Sequence, residues 1–259
     1  MKLAITTRLE YALPGPTDVL LQLEAAIIPE QVVHHAHIDL PPLEHFARLP
    51  GHDDIGDRLW LHLAGTLTVE YRATVEPQRL IAPLESLSAL PPHLLPGETV
   101  DYLLPSRFCP SDRFQDFVLE RFGALAGGGK VAAIRDWVAG HMDYVPGASD
   151  PQTTAADSFR SGQGVCRDYA HLVISLCRAA AIPARFSSVY ALGVDPQDFH
   201  AVAEVFLDGA WHLVDATEMS TPESTAKIGV GPDAAGVAFL TSYAPVEMVN
   251  QSVEVSETA

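Results

Sequence analysis

Period-two alternation of apolar and polar residues dominates the first 76 positions. Leu3, Ile5, Thr7, Leu9 and Tyr11 form one such run; Leu59, Leu61 and Leu63, then Leu67, Val69 and Tyr71, form another. This is the pattern of strands with one buried face. Pro14-Gly15-Pro16 predicts a turn between the first strand and a second over Val19 to Leu23, and Gly51 and Gly56 bracket an acidic loop before Leu59. Such a segment predicts an antiparallel β-sandwich of roughly seven strands.

The alternation stops between Pro77 and Pro105, where six prolines can neither donate to a ladder nor sit inside a helix. The chain is therefore expected to divide into an N-terminal β domain over residues 1–100, its Pro-rich connection starting near 77, and a core over 101–259. In the core, Asp112 to Phe122 and Lys130 to Met142 predict helices, the second with Val131, Ile134, Val138 and Met142 on one face. A central helix is predicted from Cys166 to Ile182, stopped by Pro183, with Leu172, Val173, Leu176, Cys177 and Ala180 as its apolar stripe. Arg185 to Leu192 is rich in β-formers, and Ala201 to Asp215 predicts a hairpin with Asp208-Gly209 at its tip. The end, Ser256 to Ala259, is expected to fray. The predicted class is α+β.

Composition narrows the function. At 259 residues, 47% hydrophobic and 19% charged, the chain has the balance of a folded protein with a sizeable core. A net charge of −17 without a basic stripe argues against nucleic acid as a partner. Arg8, Glu10, Pro14, Pro16 and Asp18 interrupt the start, so no signal peptide is expected, and no apolar run approaches the roughly 20 residues of a membrane span. Three cysteines without CxxC spacing suit a reducing, cytoplasmic setting better than a disulfide framework or a zinc ribbon. Neither metal nor cofactor is expected. His34, His35 and His37 read as a polar strand face without a third ligand, and Gly127-Gly128-Gly129-Lys130 lacks the first glycine (Ala124) and the hydroxyl residue (Val131) of a phosphate loop. Cys177 belongs to the apolar stripe, and Cys109 lies in a loop.

Candidate chemistry centres on Gly162-Gln163-Gly164-Val165-Cys166, which places a cysteine in the first turn of the central helix. Unpaired N–H groups and the helix dipole favour a thiolate there, and the same N–H groups, Val165 included, can receive the oxyanion of an attacked carbonyl. Gln163 either donates its amide to that oxyanion or caps the helix. A thiolate attacking an amide also needs a proton donor for the leaving amine. His171 lies five residues on, about 140° round the helix axis, and faces away; His141 is a weaker alternative. A two-residue turn at Asp208-Gly209 pairs Phe206 with Trp211 and, by the same sum, Val202 with Asp215. Asp215 is then a diagonal neighbour of His200 on one sheet face, about 7 to 8 Å away between backbones. Glu204 shares that face, as a carboxylate behind the histidine or as partner to an arginine.

Three blocks, Gly164-Val165-Cys166-Arg167-Asp168-Tyr169-Ala170-His171-Leu172, His200-Ala201-Val202-Ala203-Glu204-Val205 and Trp211 through Asp215-Ala216-Thr217, closely resemble those of the transglutaminase-like superfamily, in the family's order Cys, His, Asp. Tyr102 through Arg107 and the tail from Ile228 to Thr241 are similar to its bacterial branch with an N-terminal β domain. The resemblance implies a papain-like α+β core in which Cys166 is the nucleophile, His200 the base and acid, and Asp215 the orienting carboxylate. It implies a thioester formed from a protein or peptide amide and passed to an amine acceptor or to water, as in a transglutaminase or a cysteine protease or amidase. Arg167-Asp168 stands where animal transglutaminases have glycine-tryptophan, so their substrate choice and calcium activation do not carry over. A non-catalytic peptide-binding module on the same fold is the alternative. The acidic surface predicts a preference for cationic substrates or amine donors.

Overall fold

The computed structural model describes residues 1–258. Four strands open the chain: β1 (Lys2–Leu21), β2 (Gln31–Asp39), β3 (His45–Pro50) and β4 (Asp57–Pro77). In β1 and β4 the odd-numbered residues turn inward, as the alternation requires, and Leu3, Val19, Leu61, Val69 and Val75 are wholly buried. Pro14-Gly15-Pro16 makes no turn. It is a bulge in a continuous strand, because the prolines have no N–H for the ladder and the pairing steps from Leu13↔Gly65 to Thr17↔Leu63. Four steps on one strand against two on the other leave an even offset, so the same parity faces the core on both sides of the bulge.

Three short 3₁₀ turns, Leu84–Ser86, Pro92–Leu94 and Gly97–Leu103, carry the proline-rich stretch, each preceded by a proline. Helix α1 (Gln115–Phe122) follows a further 3₁₀ turn, and α2 (Gly127–His141) begins three residues before Lys130. The glycine run serves packing: Gly128 donates to Leu87 O (2.8 Å), and a Cβ there would stand 1.7 Å from Leu84 O. Then come β5 (Asp143–Tyr144), α3 (Ala155–Ser161), β6 (Gln163–Gly164), α4 (Cys166–Ala179), β7 (Ala184–Ala191), β8 (His200–Leu207), β9 (Ala210–Val214) and β10 (Thr225–Gly231). Helix α3 was not expected from the sequence. The central helix α4 stops three residues short of Ile182 in a left-handed cap: Ala181 has φ 58°, its N–H donates to Arg178 O (2.9 Å), and Ile182 N–H donates to Cys177 O (3.0 Å), leaving Pro183 outside. Every residue of α4 from Asp168 to Arg178 is buried, against the antiparallel sheet β10-β7-β8-β9 on one side and the other helices on the rest.

The last elements, β11 (Leu240–Ser242) and β12 (Glu247–Thr258), leave the core and pair with β1. The N-terminal β region is thus one six-stranded antiparallel sheet completed by the tail, in place of a sandwich of roughly seven strands drawn from the first 76 residues. Local alternation could not reveal this, because β11 and β12 lie more than 200 residues along the chain from their partners in β1. Strands β12 and β2 flank the outer half of the β1–β4 ribbon, β11 and β3 its inner half. Both halves feed one apolar cluster, which also takes in Tyr190, Ala226 and Ile228 of the core sheet. Ser256 and Thr258, expected to fray, pair with Ala4 and Lys2, while Ala259 lies outside the described residues. The polar histidines stand on β2, where His34 meets Glu76 (2.8 Å) and His37 meets Asp39 (3.0 Å). Cys109 and Cys177 are both fully buried in the core. Among the described residues no helix is long and apolar enough to cross a membrane.

Candidate active site

Cys166 is the first residue of α4, and a local device fixes that helix start. The Asp168 carboxylate folds back to accept the Val165 N–H (2.8 Å), and it can do so only because Gly164 has no side chain: a Cβ there would lie 2.6 Å from Asp168 Cβ and 2.8 Å from its Oδ2. Upstream, β6 pairs in parallel with β5, Tyr144 opposite Gly164, and Val145 N–H donates to Gly164 O (2.9 Å). Cys166 remains half-buried, whereas the other two thiols are sealed in and pushed up to about 12 by burial.

His200 begins β8 and is almost wholly buried. Its Nε2 lies 2.8 Å from Asp215 Oδ2, while its buried Nδ1 has no hydrogen-bond partner of standard geometry. Burial opposes the charged ring, but the bonds to Asp215 and to the Cys166 thiol outweigh it and raise His200 to about 9. The ring thus lies between a carboxylate and a thiol. The β8–β9 register, Leu207↔Ala210 through Ala203↔Val214, is the one the Asp208-Gly209 turn predicts. Asp215 stands just past the ladder, held by Thr217 N–H (2.8 Å), Thr217 Oγ1 (2.7 Å), Ser220 N–H (3.0 Å) and Ser220 Oγ (2.7 Å). Burial would raise this carboxyl, yet the bonds from His200, Thr217 and Ser220 hold it below its ordinary value.

Two other candidates sit differently from expectation, and the third, Glu204, takes the second of its two expected roles, as partner to an arginine. Val165 N–H is consumed by the Asp168 cap, so it is not free for an oxyanion. The Gln163 side chain is exposed, and its backbone N–H faces Ser161 Oγ (3.3 Å). Glu204 does not support His200: four residues along a strand is about 13 Å, and the carboxylate is buried between Lys227 Nζ (2.5 Å) and Arg185 Nε (2.7 Å). Burial raises Glu204, but these two cations bring it down to about 2. Arg185 also binds Asp53 (2.7 Å), as does the Tyr102 hydroxyl (2.7 Å), so the network ties the acidic loop before β4 to the core.

Tyr144 was missed by the sequence reading. Its hydroxyl lies within reach of the Cys166 backbone N–H and thiol; burial first, then the thiol's proximity, hold the phenol at about 12. A two-residue parallel bridge brings it there, and nothing in local periodicity announces such a bridge. His171 faces away from Cys166, as helix geometry requires. It is buried between Phe108 and Phe186, accepts Ala234 N–H at Nε2 (3.1 Å), and is held down to about 3 by burial.

Cys166 and His200 open into a cleft of about 470 Å³. One wall is the loop after β10, which the N-terminal sheet holds from behind: Gln22 N–H donates to Phe239 O (2.9 Å) and Arg58 Nη2 to Gly236 O (3.3 Å). Chemically, the arrangement supplies a thiol at a helix start, a histidine beside it and a carboxylate behind the ring.

Comparisons with known proteins bear on the family and the fold. The family model of the transglutaminase-like superfamily core matches residues 118–216. A crystal structure from Cytophaga hutchinsonii, described as a candidate cysteine protease, superposes with a TM-score of 0.93 at 32% identity, covering 100% of this chain and 92% of that one. An uncharacterized protein of Mycobacterium leprae is 30% identical over 118 residues, 42% of each chain. The human kyphoscoliosis peptidase is 32% identical over 100 residues, 34% of this chain and 15% of the peptidase. The matched region thus spans less than half the length of these two relatives. Taken with the full-length structural likeness, the matched core identifies the chain as a member of the transglutaminase-like superfamily.

Proposed function

We propose that this chain is a cysteine-dependent acyl-transfer enzyme acting on peptide or side-chain amides through a thioester, with water as the usual acceptor. The observation that carries the proposal is the His200 ring, bonded through Nε2 to Asp215 at 2.8 Å with Nδ1 left for the Cys166 thiol. In this reading Cys166 Sγ, having given its proton to Nδ1, attacks the carbonyl carbon. The oxyanion is received by the Cys166 N–H and the Tyr144 hydroxyl. Nδ1–H then protonates the departing nitrogen, the C–N bond breaks, and the acyl group remains on sulfur as a thioester. Water or an amine gives its proton to Nδ1 as it attacks the thioester, and Cys166 is released with the acid or the new amide. Hydrolysis is favoured because the likeness runs to a candidate cysteine protease and to a peptidase.

Mass spectrometry after exposure to a library of peptides and amines tests this. The expected result is an acyl adduct on Cys166 together with cleaved, deamidated or cross-linked peptide, both absent in Cys166→Ala. Absence of adduct and of product across the library, from folded protein, would overturn it.

A further inference from the structure

The cleft above Cys166 is lined unlike the rest of the molecule. The chain has 33 acidic side chains against 16 lysines and arginines, yet the cleft walls include Arg107 and Arg167 and no aspartate or glutamate. Arg107 is exposed, with its guanidinium 4.8 Å from the Phe108 ring centroid, and among the described residues no carboxylate lies within ion-pair distance of it. Arg167 directly follows the cysteine. Its Nη2 donates to Ser149 Oγ (3.2 Å) and Asp150 O (3.0 Å), and the nearest acid, Asp168, is 3.8 Å from its Nε with its other oxygen committed to Val165. Beside these cations the lining is aromatic: Phe199 stacks on Phe239 with centroids 4.6 Å apart, and Phe186 closes the floor over His171.

The geometry points to an acyl donor that carries a carboxylate next to an apolar side chain, an acidic peptide or a peptide end, with the anion on Arg107 and Arg167 and the apolar group against Phe199 and Phe239. This deepens the acyl-transfer reading and rests on it for the reaction, though not for binding. It reverses the preference expected from whole-chain charge. The distant field of an acidic protein is screened within about 8 to 10 Å at ordinary salt, so inside the cleft the two guanidiniums set the local sign. A bidentate guanidinium–carboxylate contact supplies direction as well as attraction.

Two measurements on the full chain decide it. In the first, Cys166 is alkylated with iodoacetate and with iodoacetamide, and the ratio of the two rates is compared across variants. His200 contributes equally to every member of the series, so Arg107→Gln and Arg167→Gln should each lower the ratio by roughly two- to fivefold, the range of a partly exposed charge contact. An unchanged ratio in both would overturn the assignment. In the second, Cys166→Ala is titrated with three peptides of one Phe-containing frame, bearing a glutamate side chain, a free C-terminal carboxylate, or neither. At least one carboxylate peptide should bind more tightly than the neutral one, the stronger of the two naming the source, and the advantage should vanish in the Arg107→Gln, Arg167→Gln background. Equal binding of all three peptides would overturn the inference. Failure of both reagents to label Cys166 would instead sink the thiolate reading and leave the peptide titration to decide this one. Arg107 is exposed and makes no structural bond, so its variant keeps the test clear of folding.

Discussion

Asp215→Asn isolates what the carboxylate gives the His200 ring. Of the five hydrogen bonds the carboxylate accepts, Thr217 and Ser220 supply four and His200 one. An amide preserves the shape and removes the charge, and its NH2, which cannot accept, also gives up the bonds that one oxygen receives from Thr217 or Ser220. His200 rises from 6.5 to about 9 despite a burial that alone would lower it. That rise of about 2.5, at ~1.4 kcal/mol for each tenfold, is about 3 kcal/mol of preference for the charged ring. Asp215 and the thiol share it, so loss of the Asp215 charge costs about 10- to 100-fold in steps that need the imidazolium, and a wrongly held tautomer takes the total to about 10² to 10⁴. The assay compares an amide with an activated ester. The ester's leaving group needs no proton, so the loss should be larger on the amide, and the basic limb of the pH–rate profile should move from near 9 toward 6.5. Melting curves should show the protein still folded. A loss under tenfold on the amide, with the basic limb unmoved, would refute the assignment of Asp215 as the orienting carboxylate.

Tyr144→Phe removes a donor but little bulk, so kcat on amides should fall by about 10² with KM nearly unchanged; a change confined to KM would place the hydroxyl in binding instead. Gly164→Ala should cost about 1 to 3 kcal/mol in urea unfolding and slow Cys166 labelling, because its Cβ displaces the Asp168 cap; full stability in this variant would show that the cap does not need the glycine. Glu204→Gln leaves Lys227 and Arg185 poorly paired in the interior, and chemical denaturation should register about 3 to 5 kcal/mol lost. Stability should peak near pH 6.5. Below it, the unfolded chain binds a proton that buried His171, held near 3, refuses, so stability falls with falling pH. Above it, the stabilisation of raised His200, full below 6.5, is lost as pH climbs through about 9. Denaturation across pH should show His171→Phe flattening the acid side alone.

Much of the core and of the site was legible because the signals are local. The Asp208-Gly209 turn fixed the register that brings Asp215 to His200, and the glycines before Cys166 marked a helix start. What was missed depends on distant partners. Tyr144 reaches the thiol through a two-residue bridge, Thr217 and Ser220 hold Asp215 from beyond the ladder, and Asp168 claims the Val165 N–H through a capping box whose significance hangs on Gly164. Glu204 was ambiguous because strand parity places side chains on a face without saying which neighbour they meet. Pro14-Gly15-Pro16 misled for a related reason: a turn and an even-numbered bulge leave the same alternation on either side.

The pairing of β12 with β1 also governs how the molecule comes into being. Lys2 faces Thr258 and Ile5 faces Val255, contacts that span 256 and 250 residues of sequence. On a ribosome, the β1–β4 ribbon emerges early and waits with one edge of β1 bare until β11 and β12, more than 160 residues beyond β4, have been made. Val253 and Val255 then complete its apolar cluster. High contact order of this kind slows folding and prolongs exposure of an open strand edge. The β1 strand, which leads directly into the Gln22 contact behind the cleft wall, is therefore an open edge during synthesis.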